Sequence, residues 1–211
     1  MKNIFKLKIT GILILAAILS GCGAHHSHKI DKAVSDVPAQ TMSEEDIKTA
    51  MQKAATPRAE HLLLKEEVGK WQAEVKFWTN PNKEPEINTG ESVITMTHGD
   101  KFQVESFKGK WMGQPFTGTG YTGFDEFAGG YVSMWMDSAS PSIHLMNGTY
   151  DAASKKWTYT GEATCPVSGA KYATRMTHQI INKDKRTLES FTVMPDGSEI
   201  KVMEILYTRA K

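Results

Sequence analysis

Residues 113–126 read GQPFTGTGYTGFDE. Within them, Gly118-Thr119-Gly120-Tyr121-Thr122-Gly123 matches G-x-G-x-x-G, the glycine spacing of a dinucleotide-binding turn. Such a turn works only between a strand and a helix, because the helix N-terminus meets the pyrophosphate. Here FDEFAGGYVSMWMD, residues 124–137, reads as a turn followed by another strand, and no β-α-β unit is available past Gly69. The match is accidental, and the segment is a strand. Gly118 and Gly120 share strand parity with Phe116, so one face lacks side chains at two positions. Interior glycines of this kind mark the sharp bends that barrel closure needs, or a place where something bulky lies against the wall. Trp111 and Trp135 are rings large enough to cover the gap; a bound ligand is the functional version of the same geometry.

The surrounding chain has the same period. WQAEVKF, residues 71–77, puts Trp71, Ala73, Val75 and Phe77 on one face and Gln72, Glu74 and Lys76 on the other. Strand patterns recur at ESVITMTH (91–98), KFQVESF (101–107), PFTGTGYTGF (115–124), YVSMWMD (131–137) and SIHLMNGTY (142–150). They continue at KWTYTGEAT (156–164), KYATRMTHQII (171–181), TLESFTVM (187–194) and IKVMEILYTR (200–209). About ten short strands with brief turns and no helical crossover predict an all-β fold, an antiparallel lipocalin-like β-barrel over residues 69–211. The last strand is apolar on both faces, so the helix expected over 57–68 is assigned to cover its outer face. Glu204 lies on that strand and needs a partner if buried; Arg175 and Arg209 are the candidates.

Two helices are predicted upstream, over 43–68. Ser43 with Asp46 forms a capping box before EEDIKTAMQKAA, and Thr56-Pro57 starts a second helix that runs to Gly69. Before them, GAHHSHKIDKAVSDVPAQTM (23–42) is polar and aperiodic and reads as a flexible tether from Cys22. His25, His26 and His28 within it are read as solvated linker residues.

Residues 1–21 have the three regions of an export signal: basic MKNIFKLK, then ITGILILAAIL, then a small-residue ending at Cys22. The apolar run is short for a membrane span. Leu19-Ser20-Gly21-Cys22 resembles a bacterial lipobox, which implies cleavage before Cys22, acylation of its sulfur and a membrane anchor. Gly23, in place of aspartate, resembles an outer-membrane sorting pattern, which implies the periplasmic face of the outer membrane in a cell with two membranes. The net charge of +1 includes Lys2, Lys6 and Lys8; without them, 22 basic residues face 24 acidic ones. No basic face is implied, so nucleic acid is not expected as a partner. Cys22 and Cys165 are the only cysteines, so neither a disulfide framework nor a cysteine metal cage is expected.

Gly69-Lys70-Trp71 at the first strand and Arg209 in the last resemble the closure of lipocalin-type barrels, where the arginine packs across the tryptophan. More widely, residues from about Pro57 to Arg209 resemble the bacterial family known as domain of unknown function 1579. The resemblance rests on Glu60-His61, Gly69-x-Trp71, Pro81 with Pro85, and Gly113-x-Pro115-Phe116-x-Gly118. It continues through Gly123-Phe124-Asp125, Tyr131-Val132-Ser133 with Trp135 and Asp137, Gly148-Thr149, and Met203-Glu204-Ile205 with Tyr207-Thr208-Arg209. It implies a barrel and brings no activity. Where the family shows G-G-R this chain has His98-Gly99-Asp100-Lys101, and where it shows G-Y-D this chain has Phe124. No role of that arginine or phenol carries over.

No nucleophile motif, zinc-hydrolase motif or phosphate loop is present, so no catalytic residue or cofactor is assigned. Asp125 and Asp137 are read as turn residues. His98 and His178 fall on predicted inward faces; the strand of His144 is apolar on both faces. The expected function is a lipid-anchored barrel that binds or carries a small apolar ligand. Its candidate lining is Trp71, Phe77, Met96, His98, Trp111, Trp135, Met176 and His178. The alternatives are an interaction lipoprotein with a packed barrel, or a haem- or metal-binding barrel using the inward histidines and methionines.

Overall fold

The computed structural model describes residues 43–165 and 168–211. The leader, Cys22, and the tether with His25, His26 and His28 lie outside the described residues. Ser43–Lys211 forms one compact unit.

Helix α1 (Glu44–Ala55) begins where the capping residue predicts. Ser43 Oγ accepts the Asp46 N–H at 3.1 Å, with Glu44, Glu45 and Asp46 in the first turn and Lys53 in the last. None of its residues is buried. Helix α2 (Ala59–Lys65) starts two residues beyond Pro57. The N-cap is Arg58, whose N–H is taken by His61 Nδ1 at 3.0 Å, a side-chain cap that the Thr56-Pro57 pair does not reveal.

The strands are β1 (Gly69–Phe77), β2 (Glu86–Thr97), β3 (Phe102–Trp111), β4 (Gln114–Asp125) and β5 (Gly130–Asp137). They continue as β6 (Ser140–Asp151), β7 (Lys156–Thr164), β8 (Lys171–Asn182), β9 (Lys185–Val193) and β10 (Glu199–Arg209). Each pairs antiparallel with the next, and β1 pairs with β10, closing a ten-stranded barrel. Closure removes the free edges that an open sheet would expose.

Register fixes the inner wall. Trp71 lies opposite both Arg209 and Ser92, so Trp71, Ala73, Val75 and Phe77 face inward, as the alternation predicts. The same ladder turns Gln103, Glu105 and Phe107 inward on β3, and Phe116, Gly118 and Gly120 on β4. The gap at Gly118 and Gly120 is filled by Trp135 from β5. A Cβ on Gly118 would lie 2.2 Å from Trp135 Cζ2, and one on Gly120 would lie 3.1 Å from Cε3. Trp111 instead packs edge-on to Phe77, with centroids 4.2 Å apart.

Two assignments change. Helix α2 does not cover the outer face of β10; it plugs one end of the barrel. Its buried residues are His61 and Leu64, Gln103 Nε2 donates to Leu64 O, and Tyr131 Oη donates to Glu60 O. A closed barrel needs its mouth filled more than its outer wall covered, and Leu206 stays exposed. Glu204 likewise takes neither arginine. It accepts from Lys201 Nζ at 3.0 Å and Lys76 Nζ at 3.2 Å, while Arg175 pairs with Glu199. The β-bulge between Lys201 and Met203 brings that lysine alongside.

Candidate functional site

The inner wall divides into two halves along the barrel axis. The half beside α2 is filled and mostly buried. Trp71 Nε1 donates to Glu67 O, and Arg209 lies over the Trp71 ring at 4.1 Å. Arg209 also donates to Val68 O at 2.8 Å, Glu66 O at 3.1 Å and Lys183 O at 2.8 Å. Gly69 makes this possible: its φ is +141°, and a Cβ there would lie 2.5 Å from Arg209 Nη1.

Beneath this closure lies a buried charge cluster. Arg186 is 3% exposed. It donates to Glu67 Oε2 at 2.6 Å and to Glu105 Oε1 at 3.3 Å, with its guanidinium 3.9 Å from the Tyr207 centroid. Ser92 Oγ donates to the same Glu105 oxygen. Two carboxylates thus share one guanidinium away from water. Burial pushes the Glu67 carboxyl up, and the Arg186 charge opposes that rise. His178 Nε2 sits 3.1 Å from Glu67 Oε2 without the alignment of a hydrogen bond, and its ring stacks on Trp157. Burial, and next the Arg186 charge, lower the imidazole to about 3, so His178 is neutral at ordinary pH. Trp157 Nε1, His178 Nε2 and Arg186 Nε are buried with no hydrogen-bond partner among the described residues. A cleft of about 320 Å³ reaches this floor from outside, between Glu66, Lys155, Asn182 and Lys183.

The half away from α2 is different. Inward-facing Val75, Ser133, Met146, Thr174, Leu188, Ser190 and Met203 all remain partly exposed. One side of this cup is aromatic, with Phe77, Trp111, Phe116 and Trp135. The other, on β8 and β9, is built of the small residues Thr174, Ser190 and Thr192, beside Gly161, where a Cβ would lie 2.6 Å from Leu145 O and 3.1 Å from Met146 Cγ. Glu86 and Asp137, at strand ends, are the charged groups in inward register here. Asp137 accepts the Trp135 Nε1–H at 2.9 Å and the Ala139 N–H at 2.9 Å. At the same lip a cleft of about 270 Å³ is lined by Trp111, Met112, Gln114, Pro115, Phe116, Ser138 and Ala139. Such a wall can enclose an uncharged apolar molecule and offer it hydroxyl groups.

The eight lining candidates do not form one set. Phe77, Trp111 and Trp135 stand in the open half. Trp71 and His178 belong to the filled half. Met96 and Met176 pack against the buried Leu64, Tyr131, Trp157 and Tyr159. His98 is not inward at all: it is exposed, with φ +52°, and begins the left-handed run through Gly99 and Asp100. The strand parity that places it inside ends at Thr97. His144 lies opposite Trp135 and is half-buried.

Sequence reading misses Glu67, Glu105 and Arg186. Arg186 comes directly after NKDK and reads as part of a charged turn; Glu67 lies in KEEV and reads as helix surface. A usable signal exists for Glu105, which has the parity of Gln103 and Phe107. Among the described residues no three His, Cys, Asp or Glu side chains are grouped to hold a metal ion.

A solved structure shares the fold. The crystal structure of Rv2717c from M. tuberculosis superposes with a TM-score of 0.55 at 15% identity, over 74% of this chain and 100% of that one. The S-type phycobiliprotein lyase CPES from Guillardia theta gives a TM-score of 0.47 at 12% identity, over 74% of this chain and 99% of that one. A search of curated proteins returned no match. The model of one family matches residues 56–209, and the chain belongs to that family, described as Protein of unknown function (DUF1579).

Proposed function

We propose that the protein is a lipid-anchored barrel of the cell envelope that binds or carries a small, uncharged, largely apolar ligand in the half of its interior away from α2. The observation that carries this reading is the contrast between the two halves: inward side chains are mostly buried beside α2 and mostly only partly buried beyond it, where the wall carries His144 but no Asp, Glu, Lys or Arg except at the lip. Water in such a cup covers apolar surface, and an apolar molecule that displaces it gains roughly 25 cal/mol per Å² removed from water. The anchor rests on Leu19-Ser20-Gly21-Cys22, and Gly23 favours the outer membrane in a cell with two membranes.

An uncharged fluorescent probe such as 1-aminonaphthalene tests the cup. Saturable binding with enhanced emission is expected, and Ser190→Phe, which fills the open side, should abolish it. No binding to the parent protein, or binding indifferent to Ser190→Phe, would reject the reading. A packed barrel acting through its surface is the second reading. It is favoured by the way Trp135 fills the space over Gly118 and Gly120.

A further inference from the structure

The outer wall of the barrel is not uniform. On β1, β9 and β10 it carries a mesh of charges: Glu74, Lys76, Glu189, Lys201 and Glu204 pair with one another. On the opposite side, β4, β5 and β6 carry no charged side chain in outward register except at their final residues. Those are Asp125 and Asp151, which accept N–H groups of their own turns. Between them the outward positions include Tyr121, Val132, Met134, Met136, Ile143 and Leu145. Ile143 is 60% exposed and Leu145 57%. Register joins them, with Tyr121 opposite Met134 and Met134 opposite Leu145. Lys108 and Lys110 flank this neutral wall on the outer face of β3.

We infer that the outer face of β4–β6 lies against a lipid surface. This rests on the anchored reading of Cys22. Size and shape favour lipid over a second copy. Three strands at ~4.8 Å spacing, over the roughly 17 Å of the apolar rows, project about 250 Å², well below the ~800 Å² per partner of a standard protein interface. A barrel wall is also convex, and two convex walls touch over little area, whereas a bilayer interface conforms to one. A tyrosine and two methionines among aliphatic side chains, edged by lysines, suit the boundary between headgroups and acyl chains.

The course of the chain agrees. It joins the barrel beside this wall: Lys101 Nζ donates to Ala55 O, and Arg58 pairs with Glu126 in the β4–β5 turn. Residues 22–42 reach at most about 70 Å when fully extended. An anchored barrel therefore stays at high effective concentration against its own membrane, where a weak contact suffices.

The test uses the full-length protein mixed with vesicles of phosphatidylglycerol and brominated phosphatidylcholine. An added tryptophan in Leu145→Trp should lose emission to the bromines relative to unbrominated vesicles. One in Gln72→Trp, on the charged wall across the barrel, should not. Quenching of both alike, or of neither, overturns the inference. Acylation is read separately, as added mass on the N-terminal peptide: missing mass with selective quenching removes the anchor and leaves the wall, and acylation without selective quenching does the reverse. Sedimentation as a dimer that Ile143→Lys with Leu145→Lys dissociates would make the wall a contact between copies, and so overturn the lipid assignment.

Discussion

Replacing Arg186 by methionine probes the filled half most sharply. The substitution keeps volume and apolar packing but removes the cation that Glu67 and Glu105 share. Glu67 is 2% exposed and Glu105 half-buried, so neither carboxylate recovers water fully. Breaking a buried pair from one side typically costs about 3–5 kcal/mol. For a domain of this size each kcal/mol lowers Tm by about 2–4 °C, so a drop of roughly 6–20 °C is expected. The loss should depend on pH. The folded-state Glu67 carboxyl is already raised by burial, and Arg186 is the first group that holds it down. Without Arg186 it rises further. A carboxyl raised in the folded state supports folding fully below its unfolded value and loses that support as pH rises through the folded one. His178 acts in the same direction: removing Arg186 takes away a cause of its lowering, so the variant suffers less from acid. The gap between variant and parent should therefore widen from pH 5.5 to pH 8. Urea unfolding followed by tryptophan fluorescence at the two pH values measures it. A loss under about 1 kcal/mol, or a gap that does not change with pH, would refute the claim that Arg186 neutralises buried carboxylates.

The same geometry makes three further outcomes testable. Arg209→Ala removes three hydrogen bonds to backbone oxygens and the contact over Trp71, but at the barrel's edge, so a loss of about 1–3 kcal/mol is expected by urea unfolding, below that of Arg186→Met. Gly118→Ala should cost about 1–3 kcal/mol through overpacking against Trp135, and Trp135→Phe in the same chain should recover part of it; equal losses with and without Trp135→Phe would show that the ring is not the obstacle. The His178 ring carbons should show no titration by NMR between pH 8 and pH 4, since the group is neutral down to about 3. A midpoint near the usual histidine value would mean that water reaches the cluster.

Much of the barrel is legible in the sequence because strand alternation is a local property. Trp71, Ala73, Val75 and Phe77 announce their inward face without reference to any other strand. The dinucleotide-like glycines are read correctly as wall for the same reason: the next element in the chain is a strand. The errors concern properties that alternation cannot carry. His98 keeps the parity of Ile94 and Met96 in the sequence, but the chain turns left-handed there and the parity lapses. The position of α2 depends on which mouth of the barrel needs filling, a property of the closed sheet as a whole. The charge cluster joins Glu67, Glu105 and Arg186 from three distant segments, and two of them sit in stretches whose composition signals solvent. A buried ion pair is defined by its surroundings, so it is legible only once strand register has brought those surroundings together.

Native mass spectrometry of the protein purified from the cells that make it tests the cup beyond the filled half most directly. A reproducible added mass from one small apolar molecule is expected, which Ser190→Phe removes while Leu145→Lys leaves it in place. Protein that is consistently empty, or a mass that Ser190→Phe leaves unchanged, would contradict it.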